Sequence, residues 1–395
     1  MKCHVPAAQL KKALKAVTSI YNYAKDDAAA KSVGILSVED DGLWIEYGSS
    51  GAYLRKRIDA TVLREGLVGI DLKLLQKCRI TTGDVTLTYS EKDKSLGVKT
   101  GKQDLYTLKT EQGTKTVIAA FRPDPISKKQ QPHVEIPPHL LRLASGSVMY
   151  KPGEENKKLT VQASFKKLKK KKSQFSLSAR DNYSFANYIT TLSDGLKVNK
   201  NFKFILASNL LQEIMKEAGG EDTIQIWDIV GGDEETSVVR FISKDLDFCH
   251  PVMGEESFAN MEKISQEAKE GEMGGYFLAT QAELKDAFDT VQSFSSANAP
   301  PTVCIRASKK YGVKFSTSVD EQRATSAIEA EKTVLVEGKP FVINVHGNYL
   351  GEFIKILPKT LPMRIEQWDS ILRIEATNME NGSIEYVVAQ ADSDT

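Results

Sequence analysis

Three stretches of the chain share one arrangement of apolar and polar positions. In Val5-Pro-Ala-Ala-Gln-Leu-Lys-Lys-Ala-Leu-Lys-Ala-Val17, residues Leu10, Ala13, Leu14 and Val17 fall at i, i+3, i+4 and i+7. That spacing predicts an apolar stripe along one side of a helix. Lys11, Lys12 and Lys15 take the remaining face. Pro6 suits the first turn, where a missing N–H costs no hydrogen bond. Ile136-Pro-Pro-His-Leu-Leu-Arg-Leu-Ala144 and Leu278-Ala-Thr-Gln-Ala-Glu-Leu-Lys-Asp-Ala-Phe288 have the same form, with Leu10, Leu141 and Leu284 in register. A period of more than a hundred residues marks a whole repeated domain rather than a short solenoid unit.

A second helical signature occurs once within each period. It reads Ile70-Asp-Leu-Lys-Leu-Leu-Gln-Lys77, then Leu206-Ala-Ser-Asn-Leu-Leu-Gln-Glu-Ile-Met-Lys216, then Val345-His-Gly-Asn-Tyr-Leu-Gly-Glu-Phe-Ile-Lys355, aligning Leu75, Leu211 and Leu350. Each domain is therefore expected to hold two helices, each led in by a short apolar strand and followed by about three alternating strands. In the first domain, residues 31–38 and 42–47 read as strands around the turn Glu39-Asp-Asp-Gly42, and 53–62 reads as one further strand. After the second helix, 85–89, 95–100 and 104–108 read as a meander. Phe121-Arg-Pro-Asp-Pro-Ile-Ser-Lys-Lys-Gln-Gln-Pro132 is an extended linker by its prolines. A second linker follows Pro251, and its charged run 262–275 reads as a short helix ended by Gly271, Gly274 and Gly275. The domains expected are 1–122, 133–255 and 274–395, of α+β class, each with two helices packed on antiparallel sheets.

A length of 395 residues suits three ordinary cores rather than one. The 53 basic and 52 acidic residues nearly cancel, so any acidic partner must be argued from where charges lie. Cys3, Cys78, Cys249 and Cys304 stand apart, without the close spacing of a zinc or redox motif. Cys78 falls on the apolar stripe of its helix and reads as a small core residue. No secretory leader or membrane-length apolar run is evident, so a reduced cytoplasmic setting is expected.

Local signatures of catalysis are absent. There is no GxxxxGK[ST] loop and no GxSxG elbow, and His4, His133, His139, His250 and His346 lack ligand spacing. The glycine pairs 219–220, 231–232 and 274–275 read as helix ends or turns. A non-enzymatic protein without cofactor or metal is the expectation. Phe165-Lys-Lys-Leu-Lys-Lys-Lys-Lys172 is the densest basic run, placed between two strand-like stretches, and reads as a solvated hairpin tip first, a dedicated nucleic-acid contact second and a localisation signal last.

Six half-units of strand, helix and strands in three domains resemble the bacterial-type DNA polymerase sliding clamp, the beta-clamp family, across essentially the whole chain. The helix lead-ins, Gly101-Lys-Gln-Asp-Leu-Tyr-Thr-Leu108 and Ile384-Glu-Tyr-Val-Val388 carry the resemblance. It implies a processivity factor, a head-to-tail homodimeric ring that encircles duplex DNA without reading sequence. The ring would tether the polymerase and clamp loader through short hydrophobic peptides, in a bacterial or infected host cytoplasm. DNA-facing cations would be Lys11, Lys12, Lys15, Lys73, Lys77, Arg79, Arg142, Lys216, Lys285 and Lys355, with loop residues Lys25, Lys31, Tyr150 and Lys151. Phe185, Pro251, Val252, Val387 and Ala389 would wall the peptide pocket, with exposed apolar side chains expected at Tyr386-Val-Val388. The subunit interface would use Leu105, Phe294, Lys73, Asp320 and Glu321. The family's Leu-Pro-Ile-Leu segment is replaced by Lys31-Ser-Val-Gly-Ile-Leu36, and its Met-Pro-Met-Arg-Leu ending by Ala389-Gln-Ala-Asp-Ser393. Such departures suit a viral or plasmid-borne copy. Two other classes fit the residues: a scaffold ring of the same fold, or a nucleic-acid enzyme with a spatially assembled carboxylate site.

Overall fold

The computed structural model describes the chain except residues 24–32, 50–51, 81–82, 102–103, 112–121, 128, 150–158, 181–183, 218–222, 231–236, 255–269, 294–301, 320–321, 338, 380–381 and 392–395. One motif, a strand, a helix and three strands, recurs along it. It begins with β1 (Lys2–Pro6), α1 (Ala7–Tyr23), β2 (Val33–Glu39), β3 (Gly42–Ser49) and β4 (Ala52–Ile58). A short β5 (Thr61–Arg64) precedes β6 (Gly66–Asp71), α2 (Leu72–Lys77), β7 (Asp84–Ser90), β8 (Ser95–Thr100) and β9 (Asp104–Lys109).

The same series continues with β10 (Val134–Ile136), α3 (Pro138–Val148), β11 (Thr160–Lys167), β12 (Ser173–Arg180) and β13 (Ser184–Leu192). Then come β14 (Lys197–Val198), β15 (Phe202–Ala207), α4 (Ser208–Glu217), β16 (Ile224–Val230), β17 (Ser237–Ser243) and β18 (Leu246–Pro251). The last copy is β19 (Met273–Thr280), α5 (Gln281–Gln292), β20 (Thr302–Ser308), β21 (Gly312–Val319) and β22 (Gln322–Ile328). It ends with β23 (Lys332–Leu335), β24 (Phe341–His346), α6 (Gly347–Ile356), β25 (Pro362–Trp368), β26 (Ile371–Met379) and β27 (Gly382–Ala389). The α+β reading therefore holds.

Two compact units result, Met1–Pro138 with Gln212–Val252, and His139–Leu211 with Met253–Thr395. In the first, one sheet runs β5-β1-β7-β8-β9, and another places β10, β16, β17, β18, β4, β3, β2 and β6 side by side. The β18–β4 ladder, with Leu246 opposite Lys56 and Phe248 opposite Leu54, joins segments far apart in sequence. In the second unit the sheet order is β15-β11-β12-β13-β27-β26-β25-β19-β23, beside a sheet ordered β22-β21-β20-β24. There β13 pairs with β27 over Ser184–Val388 to Thr190–Gly382.

The helix stripes are buried as their spacing demands. Leu10, Ala13, Leu14 and Val17 are at most 2% exposed, and Leu284, Ala287, Phe288 and Val291 at most 3%. α1 packs on β3, β4 and α2, and α5 packs on β21, β22 and α6. Glutamines tie two of the helix pairs, α1 with α2 and α5 with α6. Gln76 Nε2 donates to Leu14 O at 3.0 Å, and Gln281 Nε2 donates to Ile354 O at 2.8 Å.

Three readings need correction. The single strand expected at 53–62 is two strands, because the chain leaves the β4 sheet at Asp59 and Ala60 and pairs β5 with β1. Gly274 and Gly275 end no helix; they lie in β19 at a register irregularity. A Cβ on Gly275 would stand 2.5 Å from the Val334 carbonyl oxygen, so only glycine lets β23 approach there. Finally, Tyr386, Val387 and Val388 are not exposed, since all three are 4% exposed or less. β27 is an interior strand with both faces covered, and Tyr386 stacks on Phe353 of α6 with ring centroids 3.9 Å apart.

Candidate nucleic-acid and partner-binding sites

The apolar stripe of each helix leaves its cations outside. Lys11, Lys12, Lys15, Lys73, Lys77, Arg79, Arg142, Lys216 and Lys355 are exposed and Lys285 is half-buried. They are not equivalent. Lys216 donates to Glu213 Oε1 at 2.7 Å, Lys355 to Glu352 Oε1 at 2.7 Å, and Lys285 pairs with Asp289. Among the described residues no ion pair holds Lys11, Lys12, Lys15 or Lys77. Among these helix lysines the described ion pairs fall on α4, α5 and α6, while α1 keeps Lys11, Lys12 and Lys15 uncompensated. Lys25, Lys31, Tyr150, Lys151, Phe294, Asp320 and Glu321 lie outside the described residues.

The β4–β18 seam is fastened by charge. Lys56 Nζ donates to the Glu217 carbonyl at 2.6 Å and lies 3.5 Å from its carboxylate. Burial pushes the Lys56 ammonium below its ordinary pKa, Glu217 and Asp245 oppose that, and Lys12 adds to it. Across the seam Arg57 donates to Asp245 Oδ1 at 2.9 Å. Arg240 holds both oxygens of Asp247 at 2.8 and 2.7 Å and reaches the Asp124 carbonyl at 2.9 Å. Arg122 pairs with the buried Glu46, which also accepts from Tyr53 Oη at 3.0 Å, so the linker is held at Arg122 and Asp124.

In the second unit, Arg373 of β26 is 7% exposed and donates to Glu385 Oε1 and Glu366 Oε2, each at 2.7 Å. Burial opposes its charge, yet the bonds to Glu385 and Glu366 raise the guanidinium above its usual range. Beside this network, Phe185 and Val387 stand opposite one another on the β13–β27 ladder. With Ile205 they form a small buried apolar cluster, and the half-buried Ile371 packs against it. Strand alternation sets Val387 on the face of β27 away from Tyr386 and α6, so this island is separate from the core beneath the helices. Met253, 39% exposed, donates its N–H to the Ile205 carbonyl at 3.0 Å.

Of the pocket residues read from sequence, the structure brings Phe185 and Val387 together, and leaves Ala389 exposed on the same strand. Pro251 ends β18 in the other unit and Val252 follows it, its N–H donating to Ser237 O at 2.9 Å. Leu105 is 67% exposed on β9, an edge of its sheet, and β22 is likewise an edge.

Neither a family model nor a curated protein sequence matches the chain. Solved structures do. A DNA polymerase sliding clamp from Bacillus subtilis superposes with a TM-score of 0.75 at 14% identity, over 100% of this chain and 99% of that one. A DNA polymerase III beta chain from Streptococcus pneumoniae gives 0.75 at 13% identity, over 99% and 100%. A Helicobacter pylori beta clamp gives 0.72 at 18% identity, again over 99% and 100%. The fold is that of the bacterial DNA polymerase sliding clamp.

Within this clamp fold, Ile205, Ile371 and Met253 were missed by sequence reading. The signal was present for one of them: Phe204-Ile-Leu206 is an unbroken apolar run, which marks a strand covered on both faces. The same continuity in Tyr386-Val-Val388 accounts for its burial, against the exposure expected there. Among the described residues no cluster of three or more His, Cys, Asp or Glu could hold a metal, and no helix is long and apolar enough to cross a membrane.

Proposed function

We propose that the chain is a DNA polymerase processivity factor: a non-enzymatic ring that encircles duplex DNA and tethers the polymerase and loader by short hydrophobic peptides. It would act in the cytoplasm of a bacterial or infected host cell. One observation carries the ring. In the repeat, β4, β13 and β22 occupy the same place, as do β9, β18 and β27. Two of the three like pairings, β18 with β4 and β27 with β13, are made by the chain itself. The third, β9 with β22, leaves an edge on each of two sheets. Two chains joined head to tail would complete both missing ladders and remove their exposed edges. Leu105 on β9 supplies an apolar anchor, with Lys73, Phe294, Asp320 and Glu321 as further interface candidates. Repeats 1–122, 133–255 and 274–395 are the domains of this reading.

The cations of α1 and α2, with Arg79 and Arg142, would meet phosphates without reading bases, as sliding requires. Lys216, Lys285 and Lys355 would contribute less, each having a carboxylate one turn away. The Phe185–Val387 island, flanked by Ile205, Ile371 and Met253, would be the peptide site. Ala389 stands where the family has methionine, so the floor is shallower and the preferred peptide differs. The deciding experiment loads the protein onto nicked circular DNA. Retention on the circle and release on linearisation are expected, whereas retention on both, or on neither, rejects encirclement. A ring without DNA sliding is the second reading, favoured by the ion-paired lysines of α4, α5 and α6.

A further inference from the structure

The basic run forms the tip of the β11–β12 hairpin, as its setting between strands suggested. Lys167 pairs with Ser173, Leu168 N–H donates to Lys172 O at 2.8 Å, and Lys172 N–H reaches Lys169 O at 3.4 Å. Between them Lys170 and Lys171 both have φ of 59°. Two successive left-handed residues define a type I′ turn, a geometry that selects Asn-Gly or Asp-Gly because an L side chain with a Cβ is disfavoured there. This turn carries lysine at both positions. Local chemistry asks for Gly or a short Asn or Asp, and the sequence keeps two long cationic side chains instead; such a violation marks a position held for something other than folding.

The tip is also rigidly based. Phe165 and Phe175, paired across the strands beneath it, stack with centroids 4.9 Å apart. Lys167 N–H donates to Asn201 Oδ1 at 2.8 Å, fixing the tip to the turn before β15. Lys166, Lys167, Lys169, Lys170, Lys171 and Lys172 are all exposed, and among the described residues none is held in an ion pair.

We propose that this hairpin tip is a second, sequence-independent binding site for the phosphate backbone of duplex nucleic acid, separate from the cations of the helices. The chemistry favours that partner. The charges are lysines only, point charges without the planar fork that reads a particular carboxylate. The tip exposes a single apolar side chain, Leu168, and no aromatic ring, so it offers neither pockets for a peptide, nor stacking for single strands, nor a wedge for a membrane. Duplex DNA, with about one charge per 1.7 Å of axis, rewards dense positive charge through counterion release. The proposal goes beyond the processivity reading and needs no ring, since the tip would bind DNA that passes through nothing.

The test uses the full chain and a short linear duplex, with anisotropy read across a salt series. One variant replaces all six lysines, with Lys170→Asn and Lys171→Gly at the turn and serine elsewhere. A second carries Lys170→Asn and Lys171→Gly alone, and a third carries Lys11→Ala, Lys12→Ala and Lys15→Ala. The six-lysine variant is expected to bind at least tenfold more weakly at low salt. Its salt slope should be shallower by about 0.9 for each phosphate that it no longer neutralises. The third variant should keep that share of binding, so a failure of helix-mediated binding is read separately. The turn variant should melt no lower than the parent, which shows that any weakening comes from charge and not from fold. Unchanged affinity and slope in the six-lysine variant would overturn the proposal. So would equal, tip-dependent binding of poly-glutamate or of anionic phospholipid vesicles, which would identify an acidic protein or a membrane as the partner. A lower melting temperature in the turn variant would overturn the inference drawn from its backbone.

Discussion

Arg373 stands where three carboxylates converge, and among the described residues Glu366, with its side chain 3% exposed, is ion-paired with Arg373 and Arg364. Replacing Arg373 with methionine keeps the volume and removes the charge. Breaking one side of a buried pair typically costs about 3–5 kcal/mol, because the partner charge stays buried. Arg373→Met should therefore lower the melting temperature sharply, measured by calorimetry, whereas the same change at the exposed Lys11 should not. His250 gives a pH signature. Burial holds its imidazole below the ordinary value of 6.5, although its Nδ1, 2.6 Å from the Pro251 carbonyl, pulls the other way. The unfolded chain therefore takes up the proton first as the pH falls. Stability from this site is full above the ordinary value and is lost as the pH drops below it toward the folded pKa. Melts between pH 8 and 5 should show this slope, and His250→Gln should reduce it. At this scale the sequence showed the helix cations and, on the same helices, the carboxylates Glu213, Asp286, Asp289 and Glu352 that temper them, but not which pairs would close. A carboxylate three or four residues from a lysine is visible in the sequence, while its rotamer is set by packing.

α2 rests on β2 because Gly34 has no side chain. A Cβ there would stand 2.5 Å from Leu72 Cδ1 and 2.7 Å from the Glu46 carbonyl oxygen. Overpacking of this kind costs about 1–3 kcal/mol, so Gly34→Ala should lower the melting temperature and loosen α2, read as faster amide exchange at Leu75. The open edge of β9 carries the dimer prediction. Leu105→Asp should leave a folded monomer in sedimentation at concentrations where the parent is dimeric, and a fully dimeric variant would remove β9 from the interface. The repeat's helices were legible because their apolar stripes recur in register from domain to domain, which identifies even the six-residue α2. β5, β14 and β23 were not, because two to four residues carry no period. Their places are fixed by the sheets they join.

A chain of nearly balanced charge binds phosphate only by sorting its charges in space. If α1 bears that role, removing Lys11, Lys12 and Lys15 together should make the salt slope of DNA binding shallower by about 0.9 per phosphate, up to roughly three phosphates' worth. An unchanged slope would move the DNA path off α1. The repeat made the architecture legible at this scale, since six copies of one pattern constrain one another. The apolar island on β13 and β27 was legible only as two residues, because Ile205, Ile371 and Met253 reach it through pairings that no local pattern encodes. Its position has a consequence. Phe185 and Val387 face each other across the ladder that joins distant parts of the chain, so an occupant would touch both sides of a joint rather than one surface. Occupancy and cohesion of the joint are then thermodynamically linked. Peptide at a hundred times its Kd would protect the joint by about 2.7 kcal/mol, and a change that opens the joint would raise the apparent Kd by the factor by which it lowers the closed fraction. A tethered polymerase would thus act as a splint, holding shut the seam to which it is moored.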